Sequence, residues 1–282
     1  MSERSVYSVL TYTPGTTIGV GLVALHLLGA LLAPFYIPYG ETQLAGFPLL
    51  QPGTAEHLLG TDVLGRDYFT RLVMGGRTSI FVAMVGVLGA VVIGGMLAIS
   101  AAYIGGLFDD AVMRIVDTKL SIPGILFVAL FVTGFGRSVT VLTIVIGLTY
   151  MPGAIRIIRS QALTLVPLGY VKSARLRGES ALSVIVRELT PNVMEIVAVE
   201  FALRTSSAIL TVSALSFLGL GISPPTPDWG LMVSDGVRQI YSAPWLVLLP
   251  AFFISTLVIG LNFATDGLAN ALGLDAARGL RR

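Results

Sequence analysis

The sequence has no cysteine, two histidines and two lysines, and only 12% of its 282 residues are charged. Without cysteine there is no disulfide, no thiol catalysis and no sulfur-ligated metal. His26 and His57 are too far apart in the chain for a zinc site built on helical histidine spacing. The two lysines, Lys119 and Lys172, follow Thr118 and Val171, so neither closes a Gly-x-x-x-x-Gly-Lys loop and no phosphate cradle is present. No Ser-His-Asp set or paired carboxylates with a shared site stand out, and membrane-embedded catalysis finds no support. Eighteen basic and sixteen acidic residues leave a net charge of +2. That is too little to draw a polyanion, and nucleic acid is excluded as a partner.

What fills the sequence is apolar. Apolar residues make up 54% of the chain and the mean hydropathy is +0.85, whereas soluble domains carry about 25% charged residues. The class is therefore an all-α, multi-pass membrane protein. Six windows hold no Asp, Glu, Lys or Arg: Gly15 to Gly40, Thr78 to Phe108, Leu120 to Gly136, Ser138 to Ile155, Thr205 to Pro227, and Gln239 to Thr265. Each can hold one transmembrane helix of about 20 residues. The fifth is expected to begin earlier, near Asn192, and Arg137 among glycines marks a tight hairpin between the third and fourth. Small residues Ala30 and Ala33 give the first window a trace of a cleaved signal, but its length and Pro34 directly after Ala33 read as a retained anchor.

Twelve of the eighteen Lys and Arg residues fall in segments on the N-terminal side of the membrane and five on the other. By the positive-inside rule both termini are cytoplasmic. The expected organisation is a tail over 1–15, a first transmembrane helix over 16–36, and an extracytoplasmic loop over 37–77. A five-helix core over 78–270 follows, carrying a cytoplasmic coupling segment over 156–191, and then a tail over 271–282. Both long connections exceed what a plain connector needs. The outer one is expected to fold over the mouth of the bundle, with Gly60, Asp62, Gly65, Arg66 and Asp67 as solvated turns, caps and subunit contacts rather than cation ligands. Trp229 and Trp245 are expected to anchor at the headgroup boundary.

The inner connection is basic and helical in pattern from Tyr170 to Leu189. It reads Tyr170-Val171-Lys172-Ser173-Ala174-Arg175-Leu176-Arg177-Gly178, with Pro191-Asn192 beyond. Ala174 and Gly178 are four apart and on a continuous helix would form one small-residue face where another backbone could dock. A helical glycine costs about 1 kcal/mol relative to alanine, which close approach would offset. The alternative is an amphipathic helix lying on the bilayer. Pro191 is expected to break the chain into the fifth span. Within that span Glu200 and Arg204 are also four apart, and are candidates for the path or its gate, or for a structural pair at the interface.

This segment resembles the coupling motif of ABC importer permeases, in which Glu-Ala-Ala is followed by three residues and a glycine, with a proline thirteen residues on. Lys172 and Ser173 depart from that pattern, while Ala174, Gly178 and Pro191 keep it. The resemblance is strongest to the dipeptide, oligopeptide and nickel branch and runs from about His57 to Asp266. It includes Gly60-Thr61-Asp62-Val63-Leu64-Gly65-Arg66-Asp67, Tyr103-Ile104-Gly105-Gly106, Leu215-Ser216-Phe217-Leu218-Gly219, Trp229-Gly230 and Asn262 with Asp266. Val212 stands where the branch usually carries a glutamate. What the resemblance implies is a type I importer permease fold of six transmembrane helices in the cell membrane, plasma or inner. It also implies half of a translocation path for di- or oligopeptides, with nickel or oligosaccharides as alternative cargo. The implied partners are a homologous second permease, one or two ABC ATPases that bind ATP and Mg, an extracytoplasmic substrate-binding protein and the lipid bilayer. No cofactor or metal is expected on this chain. Tyr170, Lys172, Ser173, Ala174, Arg175, Arg177, Gly178 and Pro191 would meet the ATPases. A secondary transporter or channel without an ATPase is the rival class, although no internal repeat is evident between the halves.

Overall fold

The computed structural model describes residues 14–54 and 56–271, so most of each expected tail lies outside the described residues. Among the described residues the regular structure is helical, and the loops carry only isolated bridges in place of strands. The helices are α1 Pro14–Tyr36, α2 Tyr68–Ile104, α3 Gly106–Leu120, α4 Gly124–Phe135, α5 Val139–Leu165, α6 Gly169–Leu176, α7 Ala181–Phe217, α8 Trp229–Val237 and α9 Trp245–Ala271. Five of these are long and apolar enough to cross a membrane, and a sixth crossing results if α3 and α4 count as one broken span.

Three boundaries differ from the sequence expectation, each for a physical reason. Helix α2 begins at Tyr68 rather than Thr78 because Asp67 caps it, accepting the Thr70 amide at 2.8 Å, and because Arg71 is neutralised inside the fold. Its 37 residues reach about 55 Å, well beyond a hydrocarbon core of about 30 Å. The third window yields only the 12-residue α4, about 18 Å long and too short to cross alone. It meets α3 at a bend of 87°. Helix α7 begins at Ala181, and its turn Val184–Leu189 is a π-helix. Pro191 therefore does not break the chain: it lies in the first regular turn after the π segment, where a missing N–H costs little. The Thr190 amide reaches back five residues to the Ile185 carbonyl.

The centre of the bundle is the α2–α5 crossing. A Cβ added at Gly86 would lie 2.8 Å from the Thr143 carbonyl, and one at Gly147 would lie 2.9 Å from the Gly86 carbonyl, so this glycine pair lets the two backbones touch. Around them Val87, Val91, Leu142, Ile146 and Ile158 are fully shielded. Helix α7 packs across this pair, and α9 holds α1. The short α8 lies against α2 with Trp229 almost fully buried. Its indole N–H donates to the Leu72 carbonyl at 2.9 Å, so this tryptophan is a core residue and not a headgroup anchor.

Candidate functional site

At the far end of α2 from Tyr68, the α6–α7 junction presents most of the residues singled out in the sequence. Lys172, Ser173, Arg175, Arg177 and Gly178 are exposed, and so is Pro191. Ala174 is not: with Val171 it is fully buried against the chain's own core, and Tyr170 is half-buried with its hydroxyl shielded and unpartnered. Gly178 is not helical either. Its φ of +77° places it just past the end of α6. The Gly178 amide donates to the Arg175 carbonyl at 3.0 Å and the Glu179 amide to the Ala174 carbonyl at 3.2 Å, the paired bonds of a Schellman ending. The expected small-residue face therefore does not form, because a left-handed residue ends the helix before the four-residue spacing can share one side. Nothing lies within 4 Å of a Cβ added at Gly178, so its requirement is conformational.

The junction is braced. The Arg177 guanidinium donates to Glu179 at 2.5 Å, and the Ser183 hydroxyl donates to the other carboxylate oxygen at 3.1 Å. These bonds hold the Glu179 carboxyl below the usual carboxylate range. The Arg175 guanidinium lies 4.3 Å over the Tyr103 ring, which ties α6 to the end of α2. Two exposed leucines, Leu176 at 88% and Leu182 at 69%, flank Gly178. The sequence reading passed over both, since a leucine in an amphipathic segment reads as its buried face; the signal was the polar stretch on either side.

At the other end of α2 the α1–α2 loop is not a set of solvated turns. Asp62 is buried and accepts from the amides of Leu64 and Arg66, from the Arg66 guanidinium at 2.7 Å, and from Arg71 at 3.2 Å. Gly60 and Gly65 take φ of +73° and +79° to turn the chain around it. Asp67 caps α2 and also meets His57 Nδ1 at 2.9 Å, with both side chains 1% exposed. The expected turns at Gly60 and Gly65 and the cap at Asp67 match, but the turns are not solvated, because Arg71 draws the carboxylate of Asp62 inward.

Between these ends, Arg204 and Glu200 form a bonded pair on α7, with Nε 2.7 Å from Oε2. The same guanidinium donates to the Tyr150 carbonyl at 3.3 Å and fills the space that Gly153 leaves on α5. One turn away a cavity of about 400 Å³ opens between α4, α5 and α7, with Tyr150 and Thr211 in its wall. Their hydroxyls lie 2.8 Å apart.

Residues 90–274 match the family described as binding-protein-dependent transport system inner membrane component. The chain is 36% identical to the dipeptide transport system permease protein DppC of Alkalihalophilus pseudofirmus, over 95% of this chain and 88% of that one. It is also 36% identical to the oligopeptide transport system permease protein OppC of Haemophilus influenzae, over 89% of this chain and 81% of the relative. The glutathione transport system permease protein GsiD of Pectobacterium atrosepticum is 33% identical over 90% and 85%.

Proposed function

The chain belongs to the family of binding-protein-dependent transport system inner membrane components, and from that membership we propose that it is a permease subunit of an ATP-driven importer of di- and oligopeptides. It forms half of the path, beside a homologous second permease. ATP and Mg are bound and turned over on separate ATPase subunits, and an extracytoplasmic binding protein delivers cargo to the end that carries the α1–α2 loop. Both termini face the cytoplasm, as does α6.

The observation that carries this reading is the α6–α7 junction. An exposed knob of Leu176 and Leu182, ringed by Lys172, Arg175 and Arg177, stands on a base of buried Val171 and Ala174. An apolar anchor with a polar rim has the composition of a protein docking site. The base matters as much as the knob, because α6 is fastened to α2 through Tyr103 and runs into α7 through the Arg177–Glu179 brace. A push at the knob on ATPase closure is therefore delivered to both helices as a rigid-body displacement. Alternation of the path between inward and outward openings follows from such a displacement in each permease half.

The test is uptake of a labelled tripeptide into proteoliposomes containing this chain with the subunits that co-purify with it. Uptake that requires ATP and the binding protein, and stops with a non-hydrolysable analogue, is the expected result. Uptake that proceeds without nucleotide, driven by an ion gradient, would overturn the reading in favour of a secondary transporter.

A further inference from the structure

Helix α1 packs on α9 in two different ways along its length. Near its start the backbones touch: a Cβ added at Gly19 would lie 2.6 Å from the Ala264 amide nitrogen, and one at Gly260 would lie 2.8 Å from the Leu22 Cβ. Toward the α1–α2 loop these small residues give way to rings. His26, Trp229 and Phe253 meet with centroids 5.6 to 6.0 Å apart, and the Tyr36 ring lies 6.1 Å from that of Phe69. Around these rings a cavity of about 330 Å³ opens between α1, α2, α8 and α9.

The polar side chains on its wall are spent on the protein itself. His26 Nδ1 donates to the Leu22 carbonyl at 2.8 Å, and its Nε2 faces the Thr256 hydroxyl at 3.2 Å. The Tyr36 hydroxyl donates to the Gly29 carbonyl at 2.8 Å, the Trp229 indole to the Leu72 carbonyl at 2.9 Å, and the Thr256 hydroxyl to the Phe252 carbonyl at 2.9 Å. A peptide or phosphate seated here would bury polar groups against hydrocarbon, and water would lack the several partners it needs. A cavity of this kind takes an apolar guest. The surroundings supply one, because α1, α2 and α9 are each long and apolar enough to cross a membrane and the rim carries exposed Leu25 and Phe252. The space is too small to seat a turn of another subunit's helix, which is about 10 Å across with its side chains. A single hydrocarbon chain is thin enough to enter.

We propose that this cavity is a lipid site, in which one acyl chain of a membrane phospholipid enters beside α1 and lies against His26 and Trp229. The acyl chain completes the packing that α1 leaves open, so α1 is held to the bundle by glycine contacts at one end and by lipid at the other. The site depends on the chain spanning a bilayer and not on the cargo it carries. The test places the full assembly in phosphatidylethanolamine–phosphatidylglycerol vesicles that contain a phosphatidylcholine with a diazirine in the middle of one acyl chain. After irradiation the adducts are mapped by mass spectrometry. Surrounding lipid is expected to label the exposed Leu28, Leu31 and Phe35 of α1. Lipid in the cavity is expected to label His26 and Trp229 as well, both of which are buried. Gly29→Leu fills the space, since only the Tyr36 hydroxyl lies within 4 Å of a Cβ there. It is expected to lower the yield at His26 and Trp229 about tenfold and to leave Leu31 and Phe35 labelled. Wild-type adducts confined to the exposed residues, or adducts at His26 and Trp229 that persist in Gly29→Leu, would overturn the site. So would the absence of label from all five residues, which would show that another subunit covers this face. If Gly29→Leu fails to assemble, the wild-type map alone decides.

Discussion

At the scale of single residues, the coupling segment shows how spacing can name the right residues for the wrong reason. Ala174 and Gly178 are four apart, and a helix drawn through both gives them one face. The backbone at Gly178 is left-handed, however, and ends the helix before that face can form. Ala174 turns inward and Leu176 turns out. A β-branched residue at Gly178 has open space for its side chain but no comfortable φ, and its cost is about 1–2 kcal/mol. Asparagine tolerates that region far better. Gly178→Val is therefore expected to lower the unfolding midpoint in detergent and to impair uptake, while Gly178→Asn stays near wild type on both measures. Equal damage from the two substitutions would restore the small docking face and refute the turn. Glu200 and Arg204 teach the complementary lesson. Their four-residue spacing does give a bonded pair, but only the fold reveals that the guanidinium also holds the Tyr150 carbonyl and joins α7 to α5.

At the scale of elements, the long apolar helices were legible because each needs only a charge-free run. The elements that carried charge were not. A window that stops at any Asp, Lys or Arg cannot see that Arg71 is met by Asp62, so it starts α2 ten residues late. Nor can it see α3, whose Asp109 and Asp117 meet Arg159 and Arg156 on α5. The third window was thus read as a full span, although its helix has only 12 residues and meets α3 at a bend of 87°. Helix α8 was hidden for a related reason, since its cap is a buried acid. Asp228 is fully shielded, and its Oδ1 accepts the amides of Gly230 and Leu231 at 2.9 and 3.2 Å. Burial nevertheless pushes its carboxyl up to about 6, against the pull of those amides. The native chain therefore holds a proton at Asp228 that the unfolded chain, at the usual 3.8, has released. Between these values stability falls as pH rises; the penalty is absent below about 4 and complete above about 6, and amounts to on the order of 3 kcal/mol. Asp228→Asn keeps the cap acceptor and cannot ionise. Its unfolding midpoint in detergent is expected to exceed that of the wild type by an increasing margin from pH 4 to pH 7. Ion-paired acids elsewhere act equally on both proteins, so a margin that stays constant with pH would show that Asp228 does not titrate in this range.

At the scale of the whole molecule, α2 and α7 set the distance over which the two ends must communicate. Each has 37 residues and spans about 55 Å. The buried Asp62 network sits at the start of α2, and the Leu176 knob is strapped to its end through Arg175 and Tyr103. The two features are therefore separated along α2 by more than the hydrocarbon core of a bilayer, about 30 Å. Arg114, Arg156, Arg159, Lys172, Arg175, Arg177 and Arg187 all gather toward the α6 end, and the proposed function makes that end the cytoplasmic one by the positive-inside rule. A chain without cysteine permits this orientation to be read with one introduced thiol at a time. Leu176 is 88% exposed in the junction and Phe47 is 80% exposed in the α1–α2 loop, so in the chain prepared without its partner subunits a cysteine at either position is reachable without unfolding anything. A membrane-impermeant maleimide is expected to label Leu176→Cys in inside-out vesicles alone and Phe47→Cys in right-side-out vesicles alone, while detergent exposes both. Labelling of the two from the same side would break the geometric claim that α2 separates them by a membrane. The reverse pattern would leave the fold standing but turn the coupling knob away from any cytoplasmic ATPase, and with it the route by which nucleotide could drive the path.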